Sequence, residues 1–301
     1  MAVIASKTNN IRAKLKLYGD LVMFSHSLFA LPFGLIGMLL AANGLPSARV
    51  FFWIIVALVG ARNAANAINR LIDAKFDAWN PRTTDRHMPR GLVSAREVLA
   101  LSIIGFGLLL LAAWQLNPLC LKLAPLAVLL LVLYSYTKRF TWACHLVLGF
   151  CCGIAPTACW LAVTGEFALP PMLLSAAVMC WVAGFDIIYA TQDTEFDRKT
   201  GLYAVPAKFG IPMALKIAKA LHLAVLFFLL LVPVFSAPPY AVPGVFYYLG
   251  IAVVAGLLFW EHLIVRPDDL KQVTTAAYTV NQIIGVALLV FTIIDVFITK
   301  I

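Results

Sequence analysis

Two short segments hold the residues of this chain best suited to chemistry. One reads Asn69-Arg-Leu-Ile-Asp73-Ala-Lys-Phe-Asp77 and the other Gln192-Asp193-Thr-Glu-Phe-Asp197. Each carries two aspartates four residues apart, so the second pair repeats the spacing of the first. Residues at i and i+4 share one face of a helix. Asn69, Asp73 and Asp77 are therefore expected to form one polar stripe, and Asp193 and Asp197 another on a facing helix. No His or Cys stands within either stripe. Oxygen donors alone favour a hard cation, and Mg²⁺ usually binds through one or two carboxylates together with waters and substrate phosphates. A diphosphate bridged by Mg²⁺ from both stripes suits this donor set.

Cations for such an anion stand close by in sequence. Arg82, Arg86 and Arg90 follow the first stripe, Lys138 and Arg139 sit beside Tyr134 and Tyr136, and Arg198, Lys199 and Lys208 follow the second. An Arg fork suits phosphate and carboxylate alike. The plainer reading is that basic loops flank membrane spans in any polytopic protein. It is kept for Lys199, Lys208, Lys216 and Lys219, and also for Arg62 and Arg96. Asp186 has two readings, a helix-end residue that caps or pairs, or a group in the site. His26 either lines the cavity or is a hydrogen-bonded core histidine. His145, His222 and His262 have no ligand-like spacing, and Asp295 reads as an interfacial residue.

The elements that would position these groups are membrane helices. Of the 301 residues 62% are hydrophobic and 12% charged, with a mean hydropathy of +0.93, whereas a soluble domain carries about 25% charged residues. A span needs about 20 apolar residues. Nine are expected, near 20–43, 51–72, 96–115, 118–136, 143–164, 170–190, 212–235, 243–263 and 276–298. The fold class is thus an all-α polytopic membrane protein, with nine transmembrane helices around a central cavity. Residues 1–19 form a basic N-terminal segment, and residues 20–301 a single transmembrane domain. All the Lys and Arg except Arg49, Lys122 and Lys300 fall in the N-terminus and in alternate loops, counted with their flanking turns. The positive-inside rule then puts the N-terminus and both acid segments at the cytoplasmic end. The net charge of +9 is read as basic loops beside anionic lipid, with no nucleic-acid partner. The two motifs lie four spans apart, which suggests a four-helix unit used twice plus a ninth helix. The six cysteines lack Cys-x-x-Cys spacing and read as small hydrophobes in apolar helices.

These motifs resemble those of the UbiA superfamily of membrane-embedded prenyltransferases, over the chain from about residue 15 to its end. The family's Asn-Asp-x-x-Asp-x-x-x-Asp is matched at Asn69, Asp73 and Asp77, with Arg70 in place of the family's frequent acidic second residue. Arg82-Thr83-x-x-Arg86-x-x-Pro89-x-Gly91 is similar to its basic loop, and Lys138-Arg139-x-Thr141 to the segment after its fourth helix. The Pro-Gln that often follows is absent, and Ala143-Cys144 stands there. The second motif is matched at Asp193 and Asp197, preceded by Asp186, Tyr189 and Gln192. The stretch Phe24-Ser25-His26-Ser27-x-Phe29-Ala30-Leu31-Pro32 is also similar to a subgroup linked to menaquinone formation.

The resemblance implies Mg²⁺-dependent transfer of a polyprenyl group from polyprenyl diphosphate to an aromatic acid, 4-hydroxybenzoate in a ubiquinone-type pathway or 1,4-dihydroxy-6-naphthoate for menaquinone. It implies an inner-membrane enzyme. Asn69, Asp73 and Asp77 would hold one Mg²⁺, and Asp193 and Asp197 the other. Arg139, Lys138, Arg82 and Arg86 would assist the leaving diphosphate. Asp186 would orient the acceptor or take its proton. Tyr136 and Tyr189 would face the allylic cation, Gln192 and His26 would contact substrate, and residues 79–92 would close over the site. The competing class is a cation-coupled transporter. Transport usually needs polar groups near the middle of the membrane, whereas these acids cluster at one end of their spans. Oligomeric state is not legible in the sequence.

Overall fold

The first acid segment needs a long helix to carry it, and the chain supplies one. In the computed structural model, which describes residues 11–22 and 31–298, α3 (Ala48–Trp79) runs unbroken for 32 residues. It opens where the Ser47 hydroxyl accepts the Val50 N–H at 3.4 Å, and it closes where the Asn80 N–H bonds back to Phe76 O. Before it come α1 (Ile11–Leu21) and α2 (Leu31–Ala42). After it, α4 (Ala95–Leu116) starts on a Ser94–Glu97 capping box. In α5 (Pro118–Thr137) the Asn117 side chain caps the first turn and Pro118 occupies it.

The remaining elements are α6 (Cys144–Thr164), α7 (Leu169–Ala190), α8 (Thr194–Thr200), α9 (Val205–Phe209), α10 (Ile211–Phe235), α11 (Val245–Ile264) and α12 (Asn281–Ile298). A 3₁₀ turn, Thr191–Asp193, joins α7 to α8, and a π-helical turn, Thr275–Val280, leads into α12. Among the described residues eight helical runs are long and apolar enough to cross a membrane. The ninth expected span, residues 20–43, passes through residues 23–30, which lie outside the described residues together with His26. The shorter apolar helix α2 is its second half.

The second acid segment departs from the expectation of a straight stripe. Thr191 Oγ1 donates to Ile188 O at 2.7 Å and Thr194 Oγ1 to Thr191 O at 2.8 Å. Threonine hydroxyls that bond back to the carbonyls compete with the regular helical pattern, and the helix tightens to 3₁₀ between them. Asp193 therefore ends one element and Asp197 lies in the next, α8, which stops at Gly201 with φ +71°.

Close approach between helices fixes the frame. A Cβ on Gly149 would stand 2.4 Å from Met179 O, and one on Gly153 2.7 Å from Ser175 O. Only glycine permits this contact of α6 with α7, the small-residue packing that replaces hydrophobic driving force in a bilayer. His145 lies one turn before Gly149 on the same face, so the seam delivers it to α7. Elsewhere, Asn281 takes a bond from Trp181 Nε1 at 2.5 Å and donates to Glu261 Oε1 at 3.1 Å and Ala276 O at 2.9 Å. This buried set secures the π-turn. Asp295 is 3% exposed and accepts the Gly244 and Phe246 N–H groups, so it caps the start of α11.

Candidate active site

The two acid segments meet at one end of the bundle, around a cavity of about 320 Å³. From α3 come Asn69, Asp73 and Asp77, one above the other. From the α7–α8 junction come Asp186, Tyr189, Asp193 and Asp197. Lys138 enters from the end of α5, His145 from α6, Tyr278 from the π-turn, and Arg82 and Arg86 from the loop after α3.

Most of the carboxylates already have cationic partners. Asp73 Oδ2 accepts from Lys138 Nζ at 2.8 Å and from Asn69 Nδ2 at 3.1 Å, and its Oδ1 from Arg139 Nη2 at 3.3 Å. Asp77 Oδ1 accepts from Arg86 Nη1 at 2.7 Å. Asp193 is held by Arg82, through Nε at 2.8 Å and through Nη2, and by Asn80 Nδ2 at 2.8 Å. Among the described residues Asp197 has no ion pair, although it is half-buried. Burial alone would lower the Arg82 guanidinium, but bonding to Asp193 and its charge more than reverse this and raise its pKa.

The loop after α3 joins the two halves. Thr83 Oγ1 bonds to Asp77 O at 2.9 Å, and Arg82 N to Asn80 Oδ1 at 2.9 Å. From that anchored turn Arg82 reaches across to Asp193 and gives Nη1 to the Tyr189 hydroxyl at 2.7 Å. The Tyr189 ring meets Tyr278 edge-on, with centroids 5.1 Å apart.

A deeper layer lies beneath. Arg62 precedes Asp73 by eleven residues, about 16 Å at 1.5 Å per residue, and Asp186 precedes Asp193 by seven, about 10 Å. Arg62 lines the cavity, and its Nε is buried with no hydrogen-bond partner. Asp186 Oδ2 lies 2.6 Å from His145 Nδ1. Beyond them a second, apolar cavity of about 360 Å³ extends among α3, α4, α5 and α6. Arg62, Tyr134, Leu148 and Cys152 line both cavities.

All the donors of the two stripes are oxygen atoms, the class that Mg²⁺ takes. Among the described residues no three acidic, His or Cys side chains converge on one point. Mg²⁺ does not require three, since waters and substrate phosphates complete its shell. The residues fit the ion.

Three sequence expectations are displaced. Tyr136 is 41% exposed, and its ring lies 4.9 Å from the Arg139 guanidinium, outside the cavity. Ser135 faces inward at 2% exposure, and the next residue turns about 100° away on a helix of 3.6 residues per turn. Gln192 is exposed, its amide bonded to Tyr189 O, because the 3₁₀ turn rotates it outward. Arg139 sits behind Asp73, on Ile72 O at 2.8 Å, and does not line the cavity. Arg62 and His145, read as a loop charge and as a histidine without ligand spacing, both line it. The seven-residue step from Arg62 to Asn69 was the available signal for Arg62. Nothing local in sequence marks His145.

Known proteins match the chain as follows. The model of the UbiA prenyltransferase family matches residues 30–286. A protein of Shewanella sediminis named 4-hydroxybenzoate octaprenyltransferase is 34% identical over 208 residues, 67% of this chain and 71% of that protein. One of the same name from Alkalilimnicola ehrlichii is 32% identical over 234 residues, 76% of each. The apo structure of a UbiA homologue from Aeropyrum pernix K1 superposes with a TM-score of 0.78 at 31% identity, covering 88% of this chain and 98% of that one. A homologue from Archaeoglobus fulgidus bound to GPP and Mg²⁺ shares the fold, with a TM-score of 0.70 at 18% identity over 93% and 99% of the two chains.

Proposed function

The chain belongs to the UbiA prenyltransferase family, and on that premise we propose that it transfers a polyprenyl group from polyprenyl diphosphate to 4-hydroxybenzoate. The observation that carries the acceptor is Arg62, a guanidinium inside the bundle whose Nε lacks a hydrogen-bond partner. Leaving a buried N–H unpaired is costly, and a carboxylate is the bidentate partner that a guanidinium fork matches. An aromatic acid seated on Arg62 has its ring beside Asp186 and below the motif aspartates. The name shared by the curated relatives supports the same acceptor.

The diphosphate sits at the mouth, among Asp73, Asp77, Asp193 and Asp197. Mg²⁺, when held by these carboxylates and Asn69, supplies the positive charge that stabilises the leaving diphosphate. Lys138, Arg82 and Arg86 turn from their carboxylates to the phosphate oxygens, and Arg139 stays behind Asp73 to hold it in place. The prenyl tail follows the apolar cavity from Tyr134 and Leu148 toward α4 and the lipid. Tyr189 and Tyr278 offer ring faces beside the allylic carbon. Residues 80–92, already tied to both halves, exclude water that would quench the cation. The mouth faces the cytoplasm of an inner membrane, since the basic loops lie at that end.

The test is incubation of purified protein, Mg²⁺ and polyprenyl diphosphate with 4-hydroxybenzoate and, separately, with 1,4-dihydroxy-6-naphthoate, with products read by mass. Prenylated 4-hydroxybenzoate is expected. Prenylated naphthoate alone would move the acceptor to the menaquinone branch. No prenylated product, with cation flux in liposomes, would sink the enzyme reading.

A further inference from the structure

We infer that His145 is a positioning residue that aims Asp186 as the base for the acceptor ring, acting with one fixed tautomer. The inference rests on the prenyl-transfer reading above and adds to it the group that takes the proton and the group that holds it.

His145 is almost closed to solvent, its side chain 5% exposed, whereas Asp186 is 26% exposed and lines the cavity. Both ring nitrogens of His145 have partners. Val205 donates its backbone N–H to Nε2 at 3.2 Å. A backbone N–H can only donate, so Nε2 carries the lone pair and the ring proton sits on Nδ1. Nδ1 is 2.6 Å from Asp186 Oδ2 and donates to it. One carboxylate oxygen is thereby fixed, and among the described residues Oδ1 has no hydrogen-bond partner. The imidazole cannot swing away, because the glycine seam at Gly149 and Gly153 presses α6 onto α7. Three elements thus converge on one ring: α6 supplies it, α7 supplies the carboxylate that accepts its N–H, and α9 sets its tautomer.

Asp186 and Arg62 both line the cavity, below the motif aspartates of their own helices. An acid held by Arg62 presents its ring to Oδ1. Prenyl transfer breaks the C–O bond, and its electron pair leaves with the diphosphate. A ring π pair forms the new C–C bond. The C–H bond at that ring carbon then breaks, its electrons restore the aromatic ring, and the proton forms an O–H bond on Asp186. His145 keeps its own proton throughout and holds the carboxylate in the acceptor plane. Water takes the proton from Asp186 when product leaves.

The decisive comparison is His145→Gln against His145→Ala. A glutamine amide offers an NH₂ donor group and a carbonyl acceptor, the two roles the Nδ1–H tautomer plays, and alanine offers neither. With wild type forming prenylated product, His145→Ala is expected to lower kcat for product on the order of 10²-fold while KM for polyprenyl diphosphate stays within twofold. Diphosphate release should then exceed product formation, because the cation forms and is quenched by water. His145→Gln should recover most of the coupling. In an Asp186→Ala background, His145→Ala should cost no more. Equal kcat and coupling in wild type and His145→Ala, or a Gln variant as impaired as Ala, would overturn the positioning role alone. Wild-type protein that makes no prenylated ring would overturn the function and this inference together.

Discussion

Arg82 grips Asp193 through two nitrogens, Nε on Oδ1 at 2.8 Å and Nη2 on Oδ2, so one side chain from the first half of the chain caps a carboxylate of the second. The fork occupies both oxygens that a metal would use. On the proposed function, cation binding at Asp193 displaces it, and the freed guanidinium turns to the diphosphate.

Arg82→Ala should therefore act in opposite directions on two constants. The Mg²⁺ concentration for half-maximal rate should fall, because nothing competes for Asp193. KM for polyprenyl diphosphate should rise about tenfold, the loss of one charge-assisted contact worth about 1.4 kcal/mol. Steady-state kinetics with each component varied in turn measures both. A parallel shift of the two constants would reject the exchange.

Arg62→Ala should raise KM for the aromatic acid by on the order of 10- to 100-fold and leave KM for the diphosphate unchanged. Lysine should restore little, since a point charge cannot match the fork. An effect of equal size on both substrates would assign Arg62 to packing between the two cavities.

Asp73 and Asp197 differ in what their loss does to the metal-free protein. Asp73→Asn leaves Lys138 and Arg139 without their shared carboxylate and should lower stability on the order of 2 kcal/mol. Asp197 makes no ion pair among the described residues, so Asp197→Asn removes a half-buried charge at no such loss. Its thermal midpoint in detergent without Mg²⁺ should stay level or rise. Both variants should lose turnover.

Gly149→Leu should destabilise the bundle by about 1–3 kcal/mol, since even a Cβ would meet Met179 O at 2.4 Å. Thermal melting in detergent measures this. An unchanged midpoint would mean that α6 and α7 can part without cost.

The first stripe was legible because its spacing matches the helix that carries it, and α3 contains nothing to interrupt that period. The same spacing at Asp193 and Asp197 was read as a second straight stripe, and there local chemistry won. The hydroxyls of Thr191 and Thr194 turn inward to carbonyls, an effect invisible to a count of aspartates. Tyr136 was expected at the cavity for its place in the motif, but the inward position on α5 belongs to Ser135. Arg62 was grouped with the loop charges by residue type, although it stands in the middle of the span drawn over 51–72 and its depth was already readable there. His145 depends on Gly149, Gly153 and Val205, all distant from the acid motifs in function and partly in sequence. Only packing brings them together.

The length of α3 has one more consequence. Thirty-two residues measure about 48 Å, while the hydrocarbon layer is about 30 Å thick, some 20 residues of helix. Counted from Ala48, the oily layer ends near Ile68, one residue before Asn69. On that count Asp73 and Asp77 stand at the headgroup end, and Arg62, eleven residues before Asp73, stands about 16 Å deeper, at the depth of acyl chains. On the proposed function, a lipid diphosphate resting in its own leaflet has its charged head at the height of Asp73 and its tail toward the height of Arg62. Such a donor enters sideways without being lifted from the membrane. On the same function, it is the small, water-soluble acid that makes the descent.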